Sequence, residues 1–531
     1  GVGWVELGYW PHVTPTSIKN EHEVKLSANP DYRLPDLHEL GLGTVQLPTQ
    51  TLSTSYFDTE DLRLWFRKIT LRHRLGEGDQ AGTWTLKLPG ENAHDAVNRT
   101  ELSWPGHPGD IAPEALRLLR GIVRRHALER VVVLEATRRR VLVRTAGSAL
   151  GEIDDDTVTV TDGGRTGHTF RQIEFEIDAD VDSAGHDVSA IDKVVAAIKE
   201  AGANIESEQK FAKALGIVPD DRRLREAEIG RASTMGALVQ WSLRSEFERL
   251  LDFDVHLRLE PECPPERAIH QARVATRRLR SDLKTFGPVL DPMWVRHTRA
   301  ELKWMGAVLG AVRDNDVLDK RLQATGAGQA ETRGAAELRA ALVTQRRNSS
   351  ADLAEALRSE RYLNLLDRLE AGASVPRFYV NPQSERAAVG ALGVDEPART
   401  ALPRLLLPHW KKLRRRVEKA GSRPSDTQLH RIRIGSKQVR YGAELAEPVL
   451  GKSARRTARR AEDMQTILGK HHDAVTAVEW LGRIPENGTT TASFAAGSAT
   501  AEARREQSRT RHQWEKTWRS LKNGTAMAWL R

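Results

Sequence analysis

The sequence predicts a multidomain α+β protein, an antiparallel β domain followed by an all-α domain made of two related helical bundles. Three observations carry that expectation. Apolar residues recur with a period of two in the first half and at three- and four-residue spacing in the second. Net charge changes sign between the halves: residues 1–228 hold 28 Lys+Arg against 37 Asp+Glu, and residues 229–531 hold 53 against 35. Finally, residues 269–280, IHQARVATRRLR, return as residues 429–440, LHRIRIGSKQVR. Leu309-Gly310 followed by Asp314 also returns, as Leu468-Gly469 followed by Asp473. Offsets of 160 and 159 residues, held over that separation, mean duplicated structural units.

The first strand signal is Glu21-His22-Glu23-Val24-Lys25, whose alternation puts Glu21, Glu23 and Lys25 on one face. Two carboxylates and an ammonium make poor core residues and suit a polar cavity. The same grammar recurs down the chain. Leu71-Arg72-His73-Arg74 shares a face between Arg72 and Arg74, and the run from Trp84 to Leu88 contributes Lys87. Arg99 pairs with Glu101, Arg138 with Arg140, and Glu174 with Glu176, each two residues apart. Asp154 opens a short acidic turn, and Lys210 lies late in the region. Any one such pair is most simply an exposed strand face. The ordered set is different, because carboxylates gather hard divalent ions such as Mg²⁺ or Mn²⁺ and Arg/Lys grip phosphate oxygens. Together they suit a metal–polyphosphate.

The polar stretch VPDDRRLREAEI gives a connector, placed at residues 216–228. Beyond it, helical spacing is expected over 235–252, 294–312, 335–356, 363–370, 405–419, 455–468 and 502–521. A Gly-, Pro- and Ala-rich stretch at 371–403 separates two repeats, 229–370 and 404–525, within an α domain at 229–525.

The repeated segment is amphipathic. On a helix the His, +3, +7 and +10 positions fall within an arc of roughly 80°. That arc carries His270, Arg273, Arg277 and Arg280 in one copy and His430, Arg433, Lys437 and Arg440 in the other. Apolar residues take a separate arc and face a core. Two cationic stripes at matching positions point to anion binding more than to a solvated face. Arg278 answers to Gln438 and is therefore set aside from the shared site.

Glu21-x-Glu23-x-Lys25, with LRHR, WTLKLP, RTE, the Asp154 turn and IEFE in this order, resembles the CYTH family, the triphosphate tunnel metalloenzymes, over about residues 15–215. The resemblance implies a closed antiparallel β-tunnel binding triphosphate with divalent cations. Carried over, Glu21, Glu23, Glu174 and Glu176 are the metal set, assisted by Asp154 and Glu101. Lys25, Arg72, Arg74, Lys87, Arg99, Arg138, Arg140 and Lys210 hold phosphates, with Glu21, Glu23 and Lys25 as the catalytic group. The second half resembles the CHAD family through His270-x-x-Arg273-x-x-x-Arg277 with Leu309-Gly310-x-x-Arg313-Asp314, and the copy ending Leu468-Gly469-x-x-His472-Asp473. That implies paired helical bundles whose basic groove binds polyphosphate, with Arg313 and His472 joining the stripes.

The function expected is metal-dependent hydrolysis of inorganic triphosphate, or a related linear polyphosphate, with polyphosphate binding by the basic half. A non-catalytic polyphosphate-binding protein is the alternative. Nucleic-acid binding ranks below both because the stripes carry no aromatic residues to stack bases, and nothing marks an adenine site for a cyclase. No glycine-rich phosphate loop of the Walker type is present. The single Cys263 excludes intramolecular disulfides and fits a cytoplasmic, reducing setting, with association to polyphosphate granules. No run of 18 apolar residues argues for a membrane span, the opening GVGWVELGYW lacks signal-peptide features, and no protein partner is identifiable.

Overall fold

The computed structural model describes residues 17–78, 81–89, 98–145, 148–162, 165–178, 188–206, 209–216, 229–325, 333–379, 393–483, 489–523 and 527–530. The chain divides into two compact units, Gly1–Leu224 and Arg225–Arg531.

In the first unit the described residues form nine strands: β1 (Ser17–Ala28), β2 (Gly43–Asp58), β3 (Thr70–Leu75), β4 (Thr83–Pro89), β5 (Asn98–Pro105), β6 (Glu129–Arg144), β7 (Ala149–Asp162), β8 (Arg165–Ile177) and the short β9 (Asn204–Ile205). The pairing runs β5-β4-β3-β2-β6-β7-β8-β1, and β1 pairs again with β5, so eight antiparallel strands close on themselves. Closure leaves no long edge and creates an interior. The outward face is covered where it is apolar. Helix α2 (Val188–Glu200) buries Val194 and Ile198 with Leu26, Ile153, Ile173 and Phe175. Helix α1 (Pro113–Val123), started by a proline at its first turn, buries Leu118, Leu119 and Ile122.

One sequence expectation changes here. Asp154 does not open a turn; it lies inside β7, where Asp154-Asp155-Asp156 continues the strand. Strand pairing overrides the turn preference of three aspartates because each side chain finds a cation, as described below.

The second unit holds nine described α-helices: α4 (Met235–Leu259), α5 (Glu266–Thr285), α6 (Pro292–Thr325), α7 (Arg333–Arg358), α8 (Glu360–Ser374), α9 (Ala398–Ala420), α10 (Asp426–Leu450), α11 (Lys452–Leu481) and α12 (Thr490–Lys522), following α3 (Lys210–Leu215) of the first unit. Helix order α4–α7 repeats as α9–α12, and α8 stands between. The repeats meet where α5 packs on α10 and α7 on α12. At the second contact Gly334 is required, since a Cβ there would lie 2.0 Å from the Thr491 carbonyl oxygen. Thr234, Ser359, Ser425 and Thr489 cap their helices, Ser425 with Gln428 as a full capping box.

The loop-rich stretch expected at 371–403 is shorter: α8 runs to Ser374 and α9 begins at Ala398. Helix α9 accommodates both Pro403, at the end of the expected loop, and Pro408. Its apolar stripe, including Leu402, Leu405, Leu406 and Leu413, is buried and outweighs the lost backbone bonds. Most of the connector at 216–228, and residues 380–392, lie outside the described residues.

Candidate functional site

Strands β6 and β7 grade from apolar to charged along their inward faces. On β6 that face reads Val132, Leu134, Ala136, Arg138, Arg140; on β7, in the opposite direction, Glu152, Asp154, Asp156, Val158, Val160. The apolar ends pack with Tyr56 and with Phe211 and Ala214 of α3, so that helix stops one end of the tunnel. The charged ends form the site.

Its charges sort by strand. Strands β7, β8 and β1 carry carboxylates in register, with Asp154 opposite Glu174, Glu174 opposite Lys25, and Glu176 opposite Glu23. Strands β3, β4 and β5, which follow β1 round the ring through the β1–β5 pairing, carry Arg72, Arg74, Lys87 and Arg99. Cations also enter the acidic wall. Arg138 contacts Asp154, Asp156 at 2.8 Å and Glu174 at 3.5 Å. Lys210, at the first turn of α3, reaches Asp156 at 2.5 Å and Glu174 at 2.8 Å. Lys25 lies 2.7 Å from Glu23 and 3.5 Å from Glu174.

These neighbours set the protonation states. Burial alone would raise Glu174, but Lys210, Lys25 and Arg138 hold it well below the usual carboxylate range. Burial opposes and Lys25 reverses the shift at Glu23, which ends lowered. At Asp154 burial wins, helped by Asp156 and Glu152 against Arg138, and the carboxyl is pushed up to about 7. Its Oδ1 is buried without a hydrogen bond. Hard oxygen donors on adjacent strands, one of them orphaned, have the chemistry to fit a divalent cation. Among the described residues no three acidic or histidine groups converge into a ready-made cage. The Glu21 side chain lies outside the described residues; its backbone pairs with Arg99.

In the helical unit, α5 and α10 bring the two stripes together. Arg433 and Lys437 sit close enough to Arg273 and Arg277 for their charges to depress one another's proton affinity. Burial and these cations push Lys437 down to about 6. Arg277 Nε and Arg433 Nε are buried with no acceptor. The downstream echo explains itself here. Arg273 donates to Asp314 at 2.8 Å, and Asp473 faces Arg433, so both aspartates are counter-ions of the +3 arginines. Gly310 lies beneath the Arg273 guanidinium, where a Cβ would sit 3.7 Å from Cζ, and Gly469 lies beneath Arg433. His430 and His472 meet at 3.3 Å between Nδ1 atoms, while in the first repeat Arg313 stands by His270 and bonds Glu266.

The family model described as CYTH domain matches residues 19–212, and that described as CHAD domain matches residues 242–482. The Mycobacterium tuberculosis protein Rv2226 is 31% identical over 460 residues, covering 82% of this chain and 82% of that relative. This chain belongs to the CYTH–CHAD family. Solved structures similar to it include PptA from Streptomyces chartreusis (22% identity, 54% of this chain and 100% of that one, TM-score 0.42) and the CHAD domain from Ricinus communis (24%, 55% and 93%, TM-score 0.44). With both family models matched in that order, the fold is a CYTH-type antiparallel barrel followed by a CHAD-type helical domain.

Within the CYTH domain the geometry redistributes the expected roles. Glu101, read as assisting a metal, belongs instead to the cationic wall: it lies 3.1 Å from Lys87 and 3.8 Å from Arg72, which overcome burial and hold it down at about 2. Arg140 shares the face of Arg138 but binds Glu152 at 2.5 Å toward the strand end, away from the buried cluster. Glu176 is exposed, although its register sets it beside Glu23. Arg74 reaches Glu77 at 2.8 Å. Asp156 was missed. It is 1% exposed and joins Arg138 to Lys210, and its signal was the two-residue spacing from Asp154. Tyr56 was missed too, an aromatic residue whose hydroxyl is influenced by Arg72, Arg74 and Lys210.

In the CHAD domain, Arg440 is bound by Glu444 at 2.7 Å and Glu462 at 2.8 Å and so differs from the other stripe residues. Arg278 and Gln438, the mismatched pair, pin the repeats: Arg278 reaches Glu444 at 2.6 Å, and Gln438 donates to Ser281 Oγ at 2.9 Å. His471 turns inward to Thr510 and Asp426, leaving His472 alone of the two beside the stripe.

Proposed function

We propose that the CYTH domain hydrolyses inorganic triphosphate, or a related linear polyphosphate, with a divalent cation, and that the CHAD domain holds polyphosphate. The observation that carries this reading is the division of one buried interior into an acidic wall on β7, β8 and β1 and a cationic wall on β3, β4 and β5. A metal–triphosphate has the complementary division of charge. Glu23, Asp154 and Glu174, with Glu21 and Glu176, would hold Mg²⁺ or Mn²⁺, which supplies charge neutralisation and polarisation of water when bound. Arg72, Arg74, Lys87 and Arg99 bind non-bridging oxygens and stabilise charge as it moves to the leaving phosphate. Lys25, held between Glu23 and Glu174, orients those carboxylates and offers its ammonium to the chain. The apolar stopper of Tyr56, Val158 and Phe211 keeps water out of the far end. The helical stripes, with their buried unpaired guanidinium N–H groups, suit a chain of phosphates.

A second reading is that the tunnel holds phosphate chains without cleaving them, and the occupation of the acidic wall by Arg138 and Lys210 favours it. Phosphate release from triphosphate with Mg²⁺ and with Mn²⁺ separates the two. Hydrolysis predicts that Glu23→Gln and Lys87→Ala each lower turnover by about 10²-fold or more, with circular dichroism unchanged. If the unsubstituted protein releases nothing with either metal yet binds triphosphate, the tunnel is a receptor. The free, exposed Cys263 is compatible with the reducing cytosol proposed for the protein, where polyphosphate granules would be its site of attachment. Among the described residues no helix is long and apolar enough to cross a membrane.

A further inference from the structure

The two CHAD repeats align beyond their stripes. Pro288-Val289-Leu290 returns as Pro448-Val449-Leu450 at an offset of 160 residues, and Thr298 and Met305 return as Thr457 and Met464 at 159. All four of Thr298, Thr457, Met305 and Met464 are fully buried or nearly so, which fixes the register structurally as well. In that register the surroundings of the last stripe residue reverse their charge. Arg440 is clamped by Glu444 and Glu462. The residues in the same two positions around Arg280 are Lys284 and Lys303. A third position adds to the contrast, since Ala458 is replaced by Arg299, and a fourth replaces Gln465 by Gly306.

The consequence is a site in the first repeat that its partner repeat lacks. Arg280, Arg296, Arg299 and Lys303 line a surface cavity of about 450 Å³, with Pro292 and Val295 as its apolar floor. The Arg280 guanidinium lies over Gly306, where a Cβ would stand 3.8 Å from Nη1. That repeats the arrangement of Arg273 over Gly310 one turn along. Arg299 Nε is buried with no acceptor. From the second repeat Lys412 and Arg416 add their charges beside Lys284, which lies 3.5 Å from Gln438 Oε1. So many like charges, with no carboxylate among the described residues that line the cavity, oppose one another unless an anion lies between.

Arg273, Arg277 and Arg280 are successive on one helix face and span roughly 10 Å, so the cavity continues the central stripe. We infer that the CHAD groove is open at one end only: a linear phosphate chain too long for the central stripe runs on past Arg280 over Arg299 and Lys303, while Glu444 and Glu462 shut the opposite end. The inference rests on reading the stripe as a phosphate-chain site. It makes the CHAD domain a selector of chain length and gives the bound chain one direction of exit.

Exchanging the repeats' own residues tests it. In the full-length protein, Arg299→Ala/Lys303→Glu writes the second repeat's residues into the first, and Glu462→Lys does the reverse. Affinities for tetraphosphate and for long-chain polyphosphate are measured by calorimetry with metal chelated, so that nothing is hydrolysed. The double variant loses at least about tenfold in affinity for the long chain and stays within about twofold for tetraphosphate. Glu462→Lys gains affinity for the long chain only. Equal losses for both lengths, or no loss for the long chain, overturn the one-ended groove while leaving phosphate binding intact. Failure of the unsubstituted protein to bind either chain overturns both readings together. Lys303 and Glu462 are exposed and Arg299 is half-buried, and an unchanged melting temperature shows that the variants remain folded.

Discussion

Lys437 is the residue whose ionisation the stripe most disturbs. Histidine ordinarily gains charge near neutrality, which would make His270 and His430 the pH-sensitive members of the stripes. Both are instead lowered from the ordinary histidine value, first by burial and then by neighbouring cations, and His472 is pushed down to about 4. Lys437 is buried and faces Arg433, Arg277 and Arg273 with Asp473 as its acid, so burial first and these cations second lower its proton affinity to about 6. The unfolded chain keeps this lysine protonated to its ordinary value of 10.5, so between the two values it binds more protons than the folded chain. Stability therefore rises with pH across that window. A bound polyanion restores the proton. Polyphosphate binding should take up protons at pH 8 and weaken as pH rises from about 6 to 9, and Lys437→Met should abolish the uptake. Calorimetry in two buffers of different ionisation enthalpy reads the proton count, and zero uptake by the unsubstituted protein refutes the assignment. This residue was legible in sequence as a stripe position; its titration was not, because that depends on burial in the folded domain and on Arg277 and Arg273 of the other repeat as well as on nearby Arg433.

Among elements, the informative contact is the clasp between β6, β7 and α3. Asp156 on β7 receives Arg138 from β6 and Lys210 from α3, and is almost wholly buried. Removing one member of a buried ion cluster leaves the others uncompensated, so Asp156→Asn should destabilise the CYTH domain by about 3–5 kcal/mol at neutral pH. Asp156 is lowered from the ordinary aspartate value, burial being outweighed by Lys210 and Arg138. Its contribution is therefore present above that value and lost as the pH falls through its folded one. Melting curves should show the gap between the two proteins closing in acid, and a gap that stays constant with pH would show that the charge is not the cause. The strands bearing Arg138 and Glu174 were recognisable from alternation alone. Asp156 was hidden by three consecutive aspartates that imitate a turn, and only the ladder to β6 and β8 separates Asp155, which pairs outward with Arg171 at 2.7 Å, from its two inward neighbours.

At the scale of the whole molecule, each unit has its own core. Among the described residues the CYTH cores contain none beyond Ala214 or Leu215, and the main CHAD core runs through both repeats. Ligands should therefore act on one unit at a time. With metal chelated, long-chain polyphosphate at about 100 times its dissociation constant should raise the stability of the CHAD domain by about 2.7 kcal/mol. Differential scanning calorimetry should show the helical transition moving and the β transition moving less, with the shift shrinking as salt rises. A shift of both transitions by equal amounts would count against separate sites.

The sequence by itself determined the order of the two folds, the β class of the first half, the duplication of the second, and the residue types that face each site. Those follow from local periodicity and from residues repeated in register, and both are properties of the chain before it folds. Tertiary structure decided which charges meet. It assigned Glu101 to Lys87 and Arg72, gave Arg440 two carboxylates, and left Arg280 among lysines and arginines. The physical reason is range. A helix or strand is specified within a few residues, whereas the charge state of a buried group depends on every ion within several ångströms, whichever part of the chain supplies it.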